Sequence, residues 1–151
     1  MIAKITGIQK FTKKLNDTSK LVKSNVILEA LGQKLLNTMQ DKYFPGARSE
    51  EGKWKPNAPS TIAWKGSSLP LTGKSSDLRN RLQYEVVADP RGPLLKIGSP
   101  MKYAEYHQQT WEGHTYATPD NIPRRPFFPT KRKIEKEWIK IATNFLKKID
   151  R

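Results

Sequence analysis

Cysteine is missing from all 151 residues, so neither a disulfide framework nor thiol catalysis is open to this chain. That absence is compatible with a reducing cytoplasm. Histidine is nearly missing too, with only His107 and His114. No His-x-x-x-His pair or acidic cluster accompanies them, which argues against a zinc or two-metal site. No apolar run approaches the roughly 18 residues needed to cross a bilayer, and Met1-Ile2-Ala3-Lys4-Ile5 carries no long apolar leader segment. We expect a soluble, unsecreted protein with no membrane contact. Gly46, Gly52 and Gly66 are too scattered for a phosphate-cradling loop and lack the strand-loop-helix frame. Asp77, Glu85 and Asp89 are spread over one strand and its flanks, so paired-carboxylate catalysis has no support. His107, beside Tyr103, Tyr106 and Gln108, reads as a hydrogen-bonded structural residue. The expectation is a protein that is not an enzyme and carries no cofactor or metal.

Acids are few: 14 Asp and Glu stand against 28 Lys and Arg, for a net charge of +14. Residues 1 to 24 hold six cations and one acid, residues 122 to 151 ten and three, and the middle twelve and ten. Basicity therefore sits at the two ends. Such asymmetry suggests a polyanionic neighbour, whether nucleic acid, an acidic protein surface or an anionic membrane; the alternative is a solvated face that keeps the protein soluble.

The length fits one ordinary domain, spanning 1 to 151 and able to bury a core without staples. Leu28, Leu31, Leu35 and Met39, with Ile27 beside them, predict an amphipathic helix from about Ser24 to Phe44. Ser24 would cap it and Pro45-Gly46 would end it. Gly32 inside it marks a close helix contact. Ile8, Phe11 and Leu15 suggest a short helix, and Ile2 to Ile5 an edge strand. Residues 45 to 77 read as a long ordered loop, because they hold Trp54, Trp64, Leu69 and Leu71. A helical turn from Ser60 to Lys65, capped by Ser60, is expected within it. Gly66-Ser67-Ser68 and Gly73 to Ser76 are the expected mobile points.

Leu82, Tyr84, Val86 and Ala88 alternate with Gln83 and Glu85 as in a half-buried strand. Asp89-Pro90-Arg91-Gly92 is turn chemistry, and Leu94 to Ile97 forms the second arm of a hairpin. A third strand must come from His114 to Thr118 or from the N-terminus. The fold class is α+β: a small antiparallel sheet packed against a long helix from the N-terminal half and a C-terminal amphipathic helix.

Ile122-Pro123-Arg124-Arg125-Pro126-Phe127-Phe128-Pro129 is the most distinctive stretch. Three prolines fix φ near −65° and bias the residues before them toward extended geometry, so this strap is neither helix nor central strand. Leaving both phenylalanines exposed would forgo roughly 1.5–3 kcal/mol each. Phe127 and Phe128 therefore anchor it in the core or in a neighbouring subunit, while Arg124 and Arg125 stay available to an anionic partner. Tyr103 and His107 are expected among the anchors.

After the strap, Thr130 caps a helix carrying Ile134, Trp138, Ile141, Phe145 and Ile149 at spacings of three and four, with Ala142 and Leu146 widening the stripe and Trp138 as a further anchor. Lys131, Arg132 and Lys133 crowd its start, where each cation is disfavoured by roughly 0.3–1 kcal/mol. An external anion or acidic surface would account for that cluster, and solvated cations tolerated at low cost would also. No helix-turn-helix, RNP-type or zinc-finger pattern fits, which leaves nucleic-acid binding only in its sequence-independent electrostatic form.

In order along the chain, Gly52-Lys53-Trp54, Thr61, Lys65, Leu71-Thr72-Gly73, Leu78, Leu82, Ile97-Gly98-Ser99, Tyr103-Ala104, His107-Gln108 and the strap from Ile122 to Phe127 form a set of landmarks. This set resembles the phage virion morphogenesis family, which includes tail-completion proteins of tailed phages and prophages. The resemblance covers about residues 44 to 130. The family usually follows Thr-Gly closely with a Leu-containing helix, where here Lys74-Ser75-Ser76-Asp77 intervenes. It also tends to place Gly shortly after His-Gln, where this chain has Gln109-Thr110-Trp111-Glu112-Gly113.

The resemblance implies a structural virion subunit in the neck of a tailed phage, completing the tail or joining it to the DNA-filled head. Such subunits act as homo-oligomeric rings, with a hexamer the expected size. The implied partners are head-connector and tail proteins, with non-specific contact to genomic duplex DNA, and the implied location is the virion, reached from the host cytoplasm. On that reading Arg124, Arg125, Lys131, Arg132 and Lys133 face the partner. The alternative is a sequence-independent DNA-binding module that uses the basic termini.

Overall fold

The computed structural model describes residues 2–5, 18–73 and 75–149. The short helix expected around Ile8, Phe11 and Leu15 lies outside them. In chain order the elements are β1 (Ile2–Ile5), α1 (Thr18–Thr38), a π-helical turn (Met39–Tyr43), a last turn (Phe44–Gly46), β2 (Arg48–Ser49), β3 (Gly52–Lys53) and α2 (Pro59–Lys65). There follow α3 (Asp77–Asn80), β4 (Gln83–Val87), β5 (Leu94–Gly98), α4 (Tyr103–Gln108), β6 (Thr110–Trp111), β7 (His114–Thr115) and α5 (Lys131–Ile149). The class is α+β, with small antiparallel sheets and a long C-terminal helix.

Contacts gather into two compact units. The described residues of one are 37–73, 75–82 and 99–131; those of the other are 2–5, 18–36, 83–98 and 132–149.

The second of these units holds the three-stranded sheet, in the order β1-β5-β4 with both pairings antiparallel. Tyr84 lies opposite Ile97 and Val86 opposite Leu95, so the two-residue alternation puts these four side chains on one face. Glu85 and Lys96 pair across the other face at 3.3 Å, where the sheet meets solvent. The third strand comes from the N-terminus, one of the two origins expected. His114–Thr115 pairs instead with Thr110–Trp111 in a separate hairpin.

Helix α1 crosses the Tyr84 face. A Cβ built on Gly32 would sit 2.7 Å from Cγ and Cε2 of Tyr84, so only glycine lets the ring lie against the helix backbone. The close contact marked by Gly32 is thus with a strand side chain. Ile27, Leu28, Leu31 and Leu35 are buried as their spacing predicts. The helix starts at Thr18, which puts Ser24 in its interior, buried, rather than at its cap. The periodic spacing extends upstream through Leu21, seven residues before Leu28.

On α5, Ile134 and Ala142 are buried, Trp138, Ile141 and Phe145 half-buried, and Leu146 exposed. Glu137 takes a buried place on the stripe that the hydrophobic pattern does not show. Lys133 lies 3.1 Å from its carboxylate and Lys140 3.9 Å. Burial pushes the Glu137 carboxyl up, but the hydrogen bond and charge of Lys133, with Lys140 and Lys34, outweigh it and hold it below the usual carboxylate range.

In the other unit, the long helix's continuation ends by widening. The Phe44 N–H donates to the Met39 carbonyl, five residues back, and Pro45, which has no N–H to give, follows directly. The chain turns out at Ala47, in left-handed geometry at φ +47°, one residue beyond the expected Pro45-Gly46 stop. Met39, Tyr43 and Phe44 are buried. Helix α2 begins at Pro59, whose fixed φ suits a first helical position, so Ala58 rather than Ser60 stands before the first turn. Gly66, at φ +70°, closes it. The apolar residues of the long loop divide: Trp54 and Leu71 are buried, whereas Trp64 is 71% exposed and Leu69 is also exposed.

Candidate functional site

The strap is irregular, as three prolines require, and Phe127 and Phe128 are both fully buried. Their rings lie 4.9 Å apart; Phe44 meets Phe127 at a tilt at 5.9 Å, and Trp111 meets Phe128 likewise at 6.4 Å. Trp54 closes the cluster edge-on to Phe44 at 5.6 Å. Two neighbouring phenylalanines can both be buried because the extended backbone is itself enclosed. That enclosure demands partners for its polar groups.

Eight residues with three prolines carry eight carbonyls but only five N–H groups. Side chains from the rest of the unit supply the missing donors. The indole N–H of Trp54 donates to the Pro126 carbonyl at 2.8 Å, that of Trp111 to Pro129 at 3.1 Å, and the Gln109 amide to Ile122 at 2.8 Å. Gln108, 0% exposed, does the opposite. Its Oε1 accepts from the Phe127 and Phe128 N–H groups, each at 3.0 Å, while its Nε2 donates to the Thr110 carbonyl at 3.1 Å. A single side chain therefore fixes both anchor residues. Gln109 stands next to it at φ +59°, ψ −48°, strained backbone held by bonds from its own N–H to Glu105 and from the Tyr116 N–H to its carbonyl.

Arg125 does not face outward. It is 6% exposed, its Nε donates to the Lys55 carbonyl at 2.9 Å and its Nη2 to that of Pro56 at 3.1 Å. Its backbone N–H donates to the His107 carbonyl at 2.8 Å. Burial pulls the guanidinium's pKa below its ordinary value. The planar fork is spent on the chain's own carbonyls, which corrects the expectation of an anion contact there. Arg124 stays at the surface and pairs with Glu51 at 2.6 Å.

Two backbone N–H groups at the junction with α5 are also satisfied by carboxylates. The Lys131 N–H donates to Oε1 of Glu112 at 3.0 Å and the Thr130 N–H to Oε2 of Glu50 at 3.4 Å. Both acceptors lie in the unit that holds Thr130 and Lys131. Lys131 and Arg132 have exposed side chains, and Lys133 is committed to Glu137. The expected set of five is therefore divided: Arg125 is enclosed, Arg124 and Lys133 are ion-paired, and Lys131 and Arg132 lie at the surface.

Tyr103 is part-exposed at the start of α4 and meets the His107 ring edge-on at 6.4 Å. Trp138 belongs to the other unit and is half-buried. Nδ1 of His107 is buried without a hydrogen-bond partner among the described residues. Burial, then the Arg125 charge, push the imidazole down to about 4, with Lys65 adding to them and a hydrogen bond to the Pro123 carbonyl opposing. Because the folded pKa lies below the ordinary 6.5, the unfolded chain takes up this proton first. The associated stability is complete above pH 6.5, falls between pH 6.5 and 4, and is flat below. The expected loss is on the order of 2 kcal/mol, allowing for partial solvent screening. Urea melts from pH 7 to pH 4 check it: the stability of wild type minus that of His107→Leu should fall by that amount as pH falls, and a constant difference would contradict it.

Among the described residues no group of three or more His, Cys, Asp or Glu could hold a metal ion, and no helix is long and apolar enough to cross a membrane. Comparisons with family models, curated proteins and solved structures find no match for this chain.

Proposed function

We propose that this chain is a non-enzymatic structural subunit of a tailed-phage neck, completing the tail or joining it to the DNA-filled head as part of a homo-oligomeric ring, with a hexamer the expected size. The observation that carries the reading is Trp64. It stands 71% exposed on α2, a helix with no buried side chain. Leu69 is exposed in the loop that follows, which Asn57 pins through its Nδ2 to the Leu69 carbonyl at 3.1 Å and Lys65 through its Nζ to the same oxygen at 3.1 Å.

An indole held on a fixed support and left in solvent is the kind of residue that dominates subunit interfaces. The ordered landmarks that resemble the virion morphogenesis family supply the setting. Partners on this reading are further copies of the chain and the head-connector and tail proteins, within the virion. Particles assembled without the chain, or with Trp64→Ala, should accumulate as unjoined heads and tails under the electron microscope. Complete, infectious particles in the absence of the chain would refute the role.

A further inference from the structure

The outward side of α5 carries charge of one sign. At 3.6 residues per turn, Arg132, Lys136, Lys140, Thr143 and Lys147 fall within an arc of about 80°, and all five are exposed. They run for about 22 Å along the helix, with successive cations from Arg132 to Lys140 about 6 Å apart. Neither acid of α5 falls in that arc: Glu135 lies to one side, and Glu137 is buried on the opposite one. Lys140 approaches Glu137 only at 3.9 Å and stays largely exposed.

We propose that this face binds the phosphate backbone of duplex DNA without reading its sequence. A row of cations with a hydroxyl among them matches the groups that contact phosphates, namely Lys, Arg and Thr side chains. Duplex DNA offers one negative charge per about 1.7 Å of axis, so a 22 Å row can engage several phosphates at once. An acidic protein partner fits less well. Protein interfaces place apolar anchors at their centre, whereas here the exposed apolar residues, Ile139 at 57% and Leu146 at 48%, lie along one flank and the centre is polar.

The test is fluorescence anisotropy of the full chain with a labelled 30-base-pair duplex of arbitrary sequence, from 50 to 200 mM salt. Four phosphate contacts predict a log-log salt slope between about −3 and −4, an affinity loss of about 100-fold over that range. A variant combining Arg132→Gln, Lys136→Gln, Lys140→Gln and Lys147→Gln should lose most of the affinity and flatten the slope. A control combining Lys42→Gln, Lys53→Gln, Lys55→Gln and Lys102→Gln has the same formal net charge, 14 − 4 = +10, and should keep both.

Equal losses in the two variants, no binding by wild type, or tighter binding to polyglutamate than to the duplex would each overturn the proposal. If the fourfold variant unfolds on heating at a lower temperature than the control, Arg132→Gln/Lys136→Gln and Lys140→Gln/Lys147→Gln are measured separately. Each should reduce the slope by about 2, and an unchanged slope in both would overturn the proposal. The contrast between the two variants in DNA binding reads this surface, while particle joining reads the assembly role, so either can fail without the other.

Discussion

Replacing Gln108 with alanine should lower folding stability by about 3–5 kcal/mol, read as a shift in the urea midpoint with little change in slope. Two buried N–H groups, those of Phe127 and Phe128, lose their common acceptor. Each orphaned donor costs about 1–3 kcal/mol, and the vacated volume adds a cavity cost. Gln108→Met separates the two contributions, since it nearly fills the space but accepts no comparable hydrogen bond. It should retain about half to three quarters of the alanine effect. A methionine variant as stable as wild type would mean that water or a shifted strap satisfies both amides.

Arg125→Met is the second large effect, at about 2–3 kcal/mol, because two charge-assisted bonds to the Lys55 and Pro56 carbonyls disappear together. Lysine is no substitute there, since one ammonium cannot reproduce the fork that reaches both oxygens. Arg124→Met, one residue away, should cost less than about 1 kcal/mol, because its ion pair with Glu51 is partly solvent-exposed. Thermal or urea unfolding of the two single variants measures the contrast. Equal losses would return Arg125 to the surface role that its sequence neighbourhood suggests.

That contrast shows what local sequence carries and what it does not. Proline spacing and the Phe-Phe pair are local, and they predict an irregular, anchored strap correctly. Helical and strand periods are local too, and they place α1, β4, β5 and α5 with errors confined to their ends. The partners of Arg125, by contrast, lie 69 and 70 residues away, and nothing near Arg124-Arg125 distinguishes the enclosed arginine from the exposed one. Gln108 is invisible for the same reason. A glutamine beside a histidine invites attention to the histidine, yet the amide organises the strap from 19 and 20 residues away.

The cationic start of α5 was an apparent conflict with the helix dipole. Glu112, 19 residues upstream, and Glu50, 80 residues upstream, accept the Lys131 and Thr130 N–H groups there, and neither has a periodic or compositional mark. Glu137 is a different case: a carboxylate on a hydrophobic stripe is tolerated because Lys133 and Lys140 reach it from neighbouring helical positions. The Trp54 and Trp64 pair likewise gives no local sign that the first would be buried with its indole on the Pro126 carbonyl and the second largely exposed.

The strap is an internal brace, and on the proposed reading partners would be met through Trp64 and α5 instead. Amide hydrogen exchange of the isolated protein tests it most directly. The N–H groups of Arg125, Phe127 and Phe128 should exchange as slowly as those of the paired β5 residues and open only in unfolding of their unit. Exchange at the rate of an exposed loop would contradict the brace and leave the strap as a surface for partners.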